Sequence, residues 1–156
     1  MAITFEDFLL TVPAEHQPFA FKLDEALGAL GCTFSAKEAK SGYVISYQWQ
    51  KKTVMNWVFR KSGMLARIYG DNAGRYEPLI AALPEDMQTK MTSAPDCRRL
   101  IDPSVCSKTC VMGMVYDLNG QTYKKCRVNG MFFPLTAKSA AHIQDLVGAE
   151  IAARQG

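Results

Sequence analysis

The chain has 156 residues, 48% of them hydrophobic and 21% charged. That balance excludes a disordered chain, and the length suits one α+β domain spanning 1–156 with a core of its own. A formal charge of +3 is too small to imply a polyanionic partner by itself. Met1 to Asp7 has no basic region followed by an apolar run, so it does not read as a signal peptide. No uninterrupted apolar stretch approaches the roughly 18–20 residues that a bilayer span requires. The expectation is a cytoplasmic protein with no membrane association, and in that compartment thiols or metal sites are favoured over disulfides.

In chain order, Thr4 and Asp7 have capping-box spacing and open a short helix carrying Phe5, Phe8 and Leu9. A second helix should begin at Pro13 or Ala14, or at Pro18 if that proline breaks it, and run to Leu30. Phe19, Leu23, Leu27 and Leu30 form its apolar stripe, and Gly31 its C-terminal stop. From Cys32 the period shifts to two. Thr33–Ala39 can supply a strand in front of the next two, where Tyr43, Ile45, Tyr47 and Trp49, then Met55, Trp57 and Phe59, share one face. Lys61 to Gly63 forms a turn, and Met64–Gly70 sets Ala66 and Ile68 against Arg67 and Tyr69. Strands joined by such short turns imply an antiparallel meander.

Asp71-Asn72 offers a cap for a helix from about Gly74 to Leu83, and Pro84-Glu85-Asp86 starts another through about Thr92. Cys97 to Cys110 reads mainly as loop. Asn119-Gly120 then joins Met114–Leu118 to Gln121–Val128 as a hairpin. Met131-Phe132-Phe133 is a last strand, and Ala137–Arg154 a last helix with Ile143, Leu146, Val147 and Ile151 facing inward. The fold class is therefore α+β: an antiparallel sheet, meander plus C-terminal hairpin, flanked by helices and carrying a cysteine-rich loop.

Four of the five cysteines fall within 97–126, spaced C-x8-C-x3-C-x15-C. Zn²⁺ takes four ligands at tetrahedral corners with sulfur about 2.3 Å away, and loop cysteines plus one from a neighbouring strand can converge that way. Cys97, Cys106, Cys110 and Cys126 are the candidate metal ligands. Arg98, Arg99, Lys108, Lys124, Lys125 and Arg127 stand beside them and offset the surplus charge of a tetrathiolate. Four thiolates and one Zn²⁺ take the formal charge from +3 to +1. An iron–sulfur cluster is a less favoured occupant of the same four residues. Ordinary thiols remain open, with a redox pair at Cys106 and Cys110 as their sharper version. Cys32, alone at a strand start, reads as a small core residue.

The element order, together with Met131-Phe132-Phe133-Pro134-Leu135 ahead of an amphipathic helix, resembles the YdhG-like α+β domains of bacteria. More of the chain resembles a family of uncharacterised four-cysteine proteins of anaerobic Gram-positive bacteria. That likeness rests on Cys97, Cys106, Cys110, Gly120-x-x-Tyr123 and Lys125-Cys126. Neither resemblance implies a known reaction, and the cysteines are a departure from the YdhG-like pattern.

Trp49, Trp57, Tyr43, Tyr47 and Phe59 can line a pocket, but alternating aromatics on strands are more often core. Lys51-Lys52, Arg60-Lys61 and Lys124-Lys125 can touch phosphates, but lysines at strand ends are usually solvated. His16 and His142 have no acid or nucleophile at a telling spacing, and glycine-rich nucleotide loops are absent. The function expected is a small binding or regulatory module with a structural zinc, leaning away from an enzyme because a closed four-thiolate shell leaves no open position. A thiol-based redox or metal sensor, then a nucleic-acid-associated module, are the alternatives. The partner expected is a small ligand or a protein, with nucleic acid not favoured and oligomeric state open.

Overall fold

The computed structural model describes residues 3–39, 42–97 and 113–156. Helix α1, Phe5–Leu9, begins with the expected capping box. The Thr4 hydroxyl accepts from the Asp7 N–H at 3.1 Å, and the Asp7 carboxylate accepts from the Thr4 N–H at 3.0 Å. Pro18 breaks the next segment: a single 3-10 turn, Ala14–His16, precedes α2, Gln17–Ala29, with the proline in the first turn, where its missing N–H costs nothing. The helix stops in a Schellman motif. The Cys32 N–H donates to the Leu27 carbonyl at 2.9 Å, and the N–H of Gly31 (φ 93°) donates to that of Gly28 at 3.0 Å. The stop leaves Leu30 outside the apolar stripe and 41% exposed, whereas Ala20, Leu23 and Leu27 are buried.

The antiparallel meander is present, with β1 at Thr33–Ala39, β2 at Gly42–Trp49, β3 at Lys52–Arg60 and β4 at Gly63–Ile68. A later strand, β7 at Phe132–Pro134, adds antiparallel to β4, giving the order β1-β2-β3-β4-β7. The register places Ile45, Trp57, Ala66 and Phe133 in one row, all buried. The adjacent row, Ser46, Asn56, Arg67 and Phe132, faces the other way. Alternation fails twice: a register shift after Tyr47 leaves Val54 and Met55 both buried, the mark of a β-bulge, and Met64, Leu65 and Ala66 of β4 are buried in succession.

The helix expected over 74–83 is split. A 3-10 turn at Ala73–Arg75 and α3 at Glu77–Ala81 are separated by Tyr76, whose φ of −133° lies outside the helical range. Pro78 is the cause, since it starts a helix readily but cannot continue one. Helix α4, Glu85–Thr92, begins after Pro84 as expected. The hairpin pairs β5, Met114–Leu118, with β6, Gln121–Lys125, through Asn119 (φ 52°) and Gly120 (φ 80°). It stands apart from the main sheet, β5 against α3 and β6 against α4. Strand β6 ends before Val128 because the Cys126 carbonyl accepts from the N–H groups of Asn129 and Gly130, which turns the chain.

Helix α5, Ala140–Gln155, packs on β3, β4 and α2 with Ile143, Leu146, Val147 and Ile151 buried. It starts three residues later than expected, because Ser139 closes a turn with Thr136 through side-chain bonds of 2.9 and 3.0 Å. Glu150 shares its buried stripe at 0% exposure. The Glu150 carboxylate accepts from the Asn72 backbone at 3.0 Å, the Asn72 side chain at 2.9 Å, the Tyr76 hydroxyl at 2.8 Å and Arg154 Nε at 2.8 Å. Asn72 is therefore not the side-chain cap its position suggested: its amide binds Glu150 instead. The buried apolar side chains form one cluster from Phe8 to Ile151. Among the described residues no helix is long and apolar enough to cross a membrane.

Candidate metal centre

The segment entering the cysteine loop pairs with the end of the hairpin. Asp96 and Lys125 form an antiparallel bridge. The Cys97 N–H donates to the Lys124 carbonyl at 2.8 Å, and the Cys126 N–H to that of Pro95 at 2.9 Å. Those two bonds flank the bridge, so Asp96 and Lys125 are the closely spaced, non-hydrogen-bonded kind of pair. Their side chains meet accordingly, Lys125 Nζ lying 2.8 Å from the Asp96 carboxylate. Lys125 is 6% exposed and also donates to the Ala94 carbonyl at 3.0 Å. The expectation of a solvated Lys125 is thus corrected: tertiary pairing draws it in and satisfies its charge.

Because neighbours along a strand point to opposite faces, Cys97 and Cys126 share the face opposite this ion pair. They are diagonal neighbours, a relation that sets residues roughly 7–8 Å apart. A disulfide is disfavoured beyond about 7 Å between Cα atoms, whereas two thiolates on one metal reach from that spacing. Cys97 is buried, Cys126 half-buried, and both thiols are free.

The loop closes on the same point. The Gly113 N–H donates to Cys97 Sγ at 3.3 Å. A Cβ at Gly113 would overlap the Lys125 carbonyl and sit 3.0 Å from Cys97 Cβ, so only glycine fits. The Arg127 guanidinium, next to Cys126, lies over the Tyr69 ring at 4.4 Å and binds Asp71 at 2.8 Å. That fixes the chain on the far side of Cys126.

Of the four expected ligands, two are thus brought together, and Cys106 and Cys110 lie outside the described residues. Among the described residues no group of three or more His, Cys, Asp or Glu side chains can hold a metal. Cys32 stands apart from the other two: half-buried, it packs on the core, and burial pushes its thiol up while the Arg154 guanidinium pulls it down. The sheet aromatics Tyr47 and Trp57 are core, as the alternation suggested.

No family model, no curated protein and no solved structure matches the chain.

Elsewhere the surface holds shallow polar depressions. One of about 590 Å³ beside α4 is lined by Glu85, Asp86, Thr89, Lys90, Ser93 and Lys138. Another, of about 390 Å³, lies over Arg154, whose guanidinium is already bound to Glu150, Asp71 and the Thr53 and Tyr69 carbonyls. Neither joins a nucleophile to a base.

Proposed function

We propose that the chain is a small binding or regulatory module whose Cys97, Cys106, Cys110 and Cys126 hold a structural Zn²⁺. The observation that supports it is the placement of Cys97 and Cys126 on one face of a single strand pair, with the Gly113 N–H on Cys97 Sγ. Cys110 stands three residues before Gly113 in sequence, and Cys106 four before that. A segment that leaves at Cys97 and returns at Gly113 therefore begins and ends beside the same sulfur.

Four thiolates complete the tetrahedron, so the metal serves folding rather than substrate activation. Its role is to close a loop on the hairpin and hold β6 against the 95–97 segment. A reducing compartment such as the cytoplasm keeps the thiols available as ligands.

Elemental analysis of protein purified without added metal tests this directly. The expected result is about one Zn²⁺ per chain, with Cys97, Cys106, Cys110 and Cys126 shielded from thiol reagents until a chelator is added. Metal content near zero, with all five thiols reacting in the native state, rejects it.

A further inference from the structure

We propose that the sheet face turned away from α2 and α5 binds a small organic anion, a carboxylate or phosphate that also carries an O–H or N–H donor, at Arg67 and Asn56. A cavity of about 150 Å³ lies there, with Val44 and Val58 as its apolar side and Asn56, Arg60 and Arg67 as its polar side. Its place is separate from the cysteine segment, and the inference does not depend on the zinc reading.

Arg67 is half-buried, and its guanidinium lies 4.7 Å over the Phe132 ring. Its Nε is buried with no hydrogen-bond partner among the described residues. Arg75, Arg127 and Arg154 each have an oxygen partner, whereas no carboxylate pairs with Arg60 or Arg67 among the described residues. Stacking on an aromatic orients a guanidinium but does not neutralise it, and desolvating an unpaired charge is costly. A planar donor fork held in one orientation against valine side chains matches a carboxylate or a phosphate.

Asn56 supplies the second half of the recognition. Its Nδ2 donates to the Tyr69 hydroxyl at 3.0 Å, and its Oδ1 is buried without a partner among the described residues. Tyr69 is held in turn beneath Arg127, which Asp71 fixes. Asn56 is the register partner of Arg67, so two residues that each carry an unpaired buried polar atom among the described residues line one small space. A ligand offering both an anionic oxygen and a hydrogen-bond donor satisfies the two together.

Titration of the isotope-labelled full chain with mandelate, phenylacetate and phenyl phosphate, followed by NMR, tests the site. Saturable shifts are expected at the Arg67 Nε–H and at the Val44 and Val58 methyls. Mandelate, which has the hydroxyl donor, should bind more tightly than phenylacetate, and phenyl phosphate shows whether the site accepts the phosphate head. Arg67→Met should weaken binding by at least about tenfold, the worth of a charge-assisted hydrogen bond. Val44→Glu, at a residue 49% exposed, should also abolish binding by placing a competing carboxylate at the rim with the fold intact. That second variant decides the matter if Arg67→Met fails to fold. No saturable shift with any probe, as when water alone bridges the two groups, or binding unchanged in a folded variant, overturns the proposal.

Discussion

Glu150 and Arg154, one turn apart on α5, form an ion pair at 2.8 Å in which the carboxylate is wholly buried and the guanidinium 8% exposed. Through it the last helix grips three other segments: Asn72 and Tyr76 bind the carboxylate, while the Thr53 and Tyr69 carbonyls and Asp71 accept from the guanidinium. Removing one partner of a buried pair leaves the other charged and uncompensated. Glu150→Ala should therefore lower the unfolding free energy by about 3–5 kcal/mol. Urea denaturation at neutral pH measures this, and a loss under about 1 kcal/mol would mean that Asp71 alone satisfies Arg154.

The cysteines should differ sharply. Metal bound only by the folded state adds its binding energy to stability, so Cys126→Ser should melt well below the parent. Cys32→Ser, at a half-buried site with no neighbouring cysteine ligand, should cost only about 1 kcal/mol. Gly113→Ala should mimic the ligand loss, because its methyl overlaps the Lys125 carbonyl. Differential scanning calorimetry with and without chelator separates the cases: the parent should lose stability on chelation and Cys126→Ser should not.

The β2–β3 turn offers a gain. Gln50 (φ 49°) and Lys51 (φ 68°) both hold left-handed backbone that L-residues adopt at a cost. The same two-residue turn geometry prefers Asn-Gly, the pair present at 119–120 in the other hairpin. Replacing Gln50-Lys51 by Asn-Gly should stabilise the protein by about 1 kcal/mol. A melting temperature unchanged or lowered would show that the exposed turn is not strained.

Alkaline pH should unfold the protein cooperatively. Burial pushes the hydroxyls of Tyr47, Tyr76 and Tyr116 above their ordinary value of 10.0, and Asp24 and Glu150 add to the rise at the first two. The folded state thus holds protons that the unfolded chain releases. The stability so contributed is complete below pH about 10 and is lost as pH climbs above it. Tyr116 has a hydroxyl with no partner among the described residues. Tyr116→Phe should consequently leave stability at pH 7 almost unchanged and flatten its decline above pH 10, as read from unfolding curves across pH 7 to 11. A decline as steep as the parent's would assign the loss to the other tyrosines.

The four clustered cysteines were visible at once, but the arrangement around them was not. Spacing alone left Cys97 and Cys126 as two ends of a loop and hairpin. The pairing of Asp96 with Lys125, 29 residues apart, set them on one face. A lysine at a strand end, such as Lys125, is usually solvated, and nothing local announces the carbonyl and the carboxylate that arrive from Ala94 and Asp96. Glu150 is hidden from a local reading for the same reason. It occupies a buried position of a helical stripe where apolar residues are the rule, and Asn72 and Tyr76, its partners there, lie more than seventy residues away.

By itself, then, the sequence determined what a few neighbouring residues decide. Thr4 with Asp7 starts a helix, Gly31 stops one, Asn119-Gly120 turns a hairpin, and the alternation in β2 to β4 builds a meander with one buried face. Each is a preference of backbone dihedrals, local hydrogen bonds or side-chain period, expressed over a handful of residues. The tertiary structure decided the rest: β7 docking beside β4, Glu150 inside the core, and Cys97 set diagonally from Cys126. These depend on which distant charges and donors find one another once the core closes, because a buried polar group is tolerated only where its partners arrive with it.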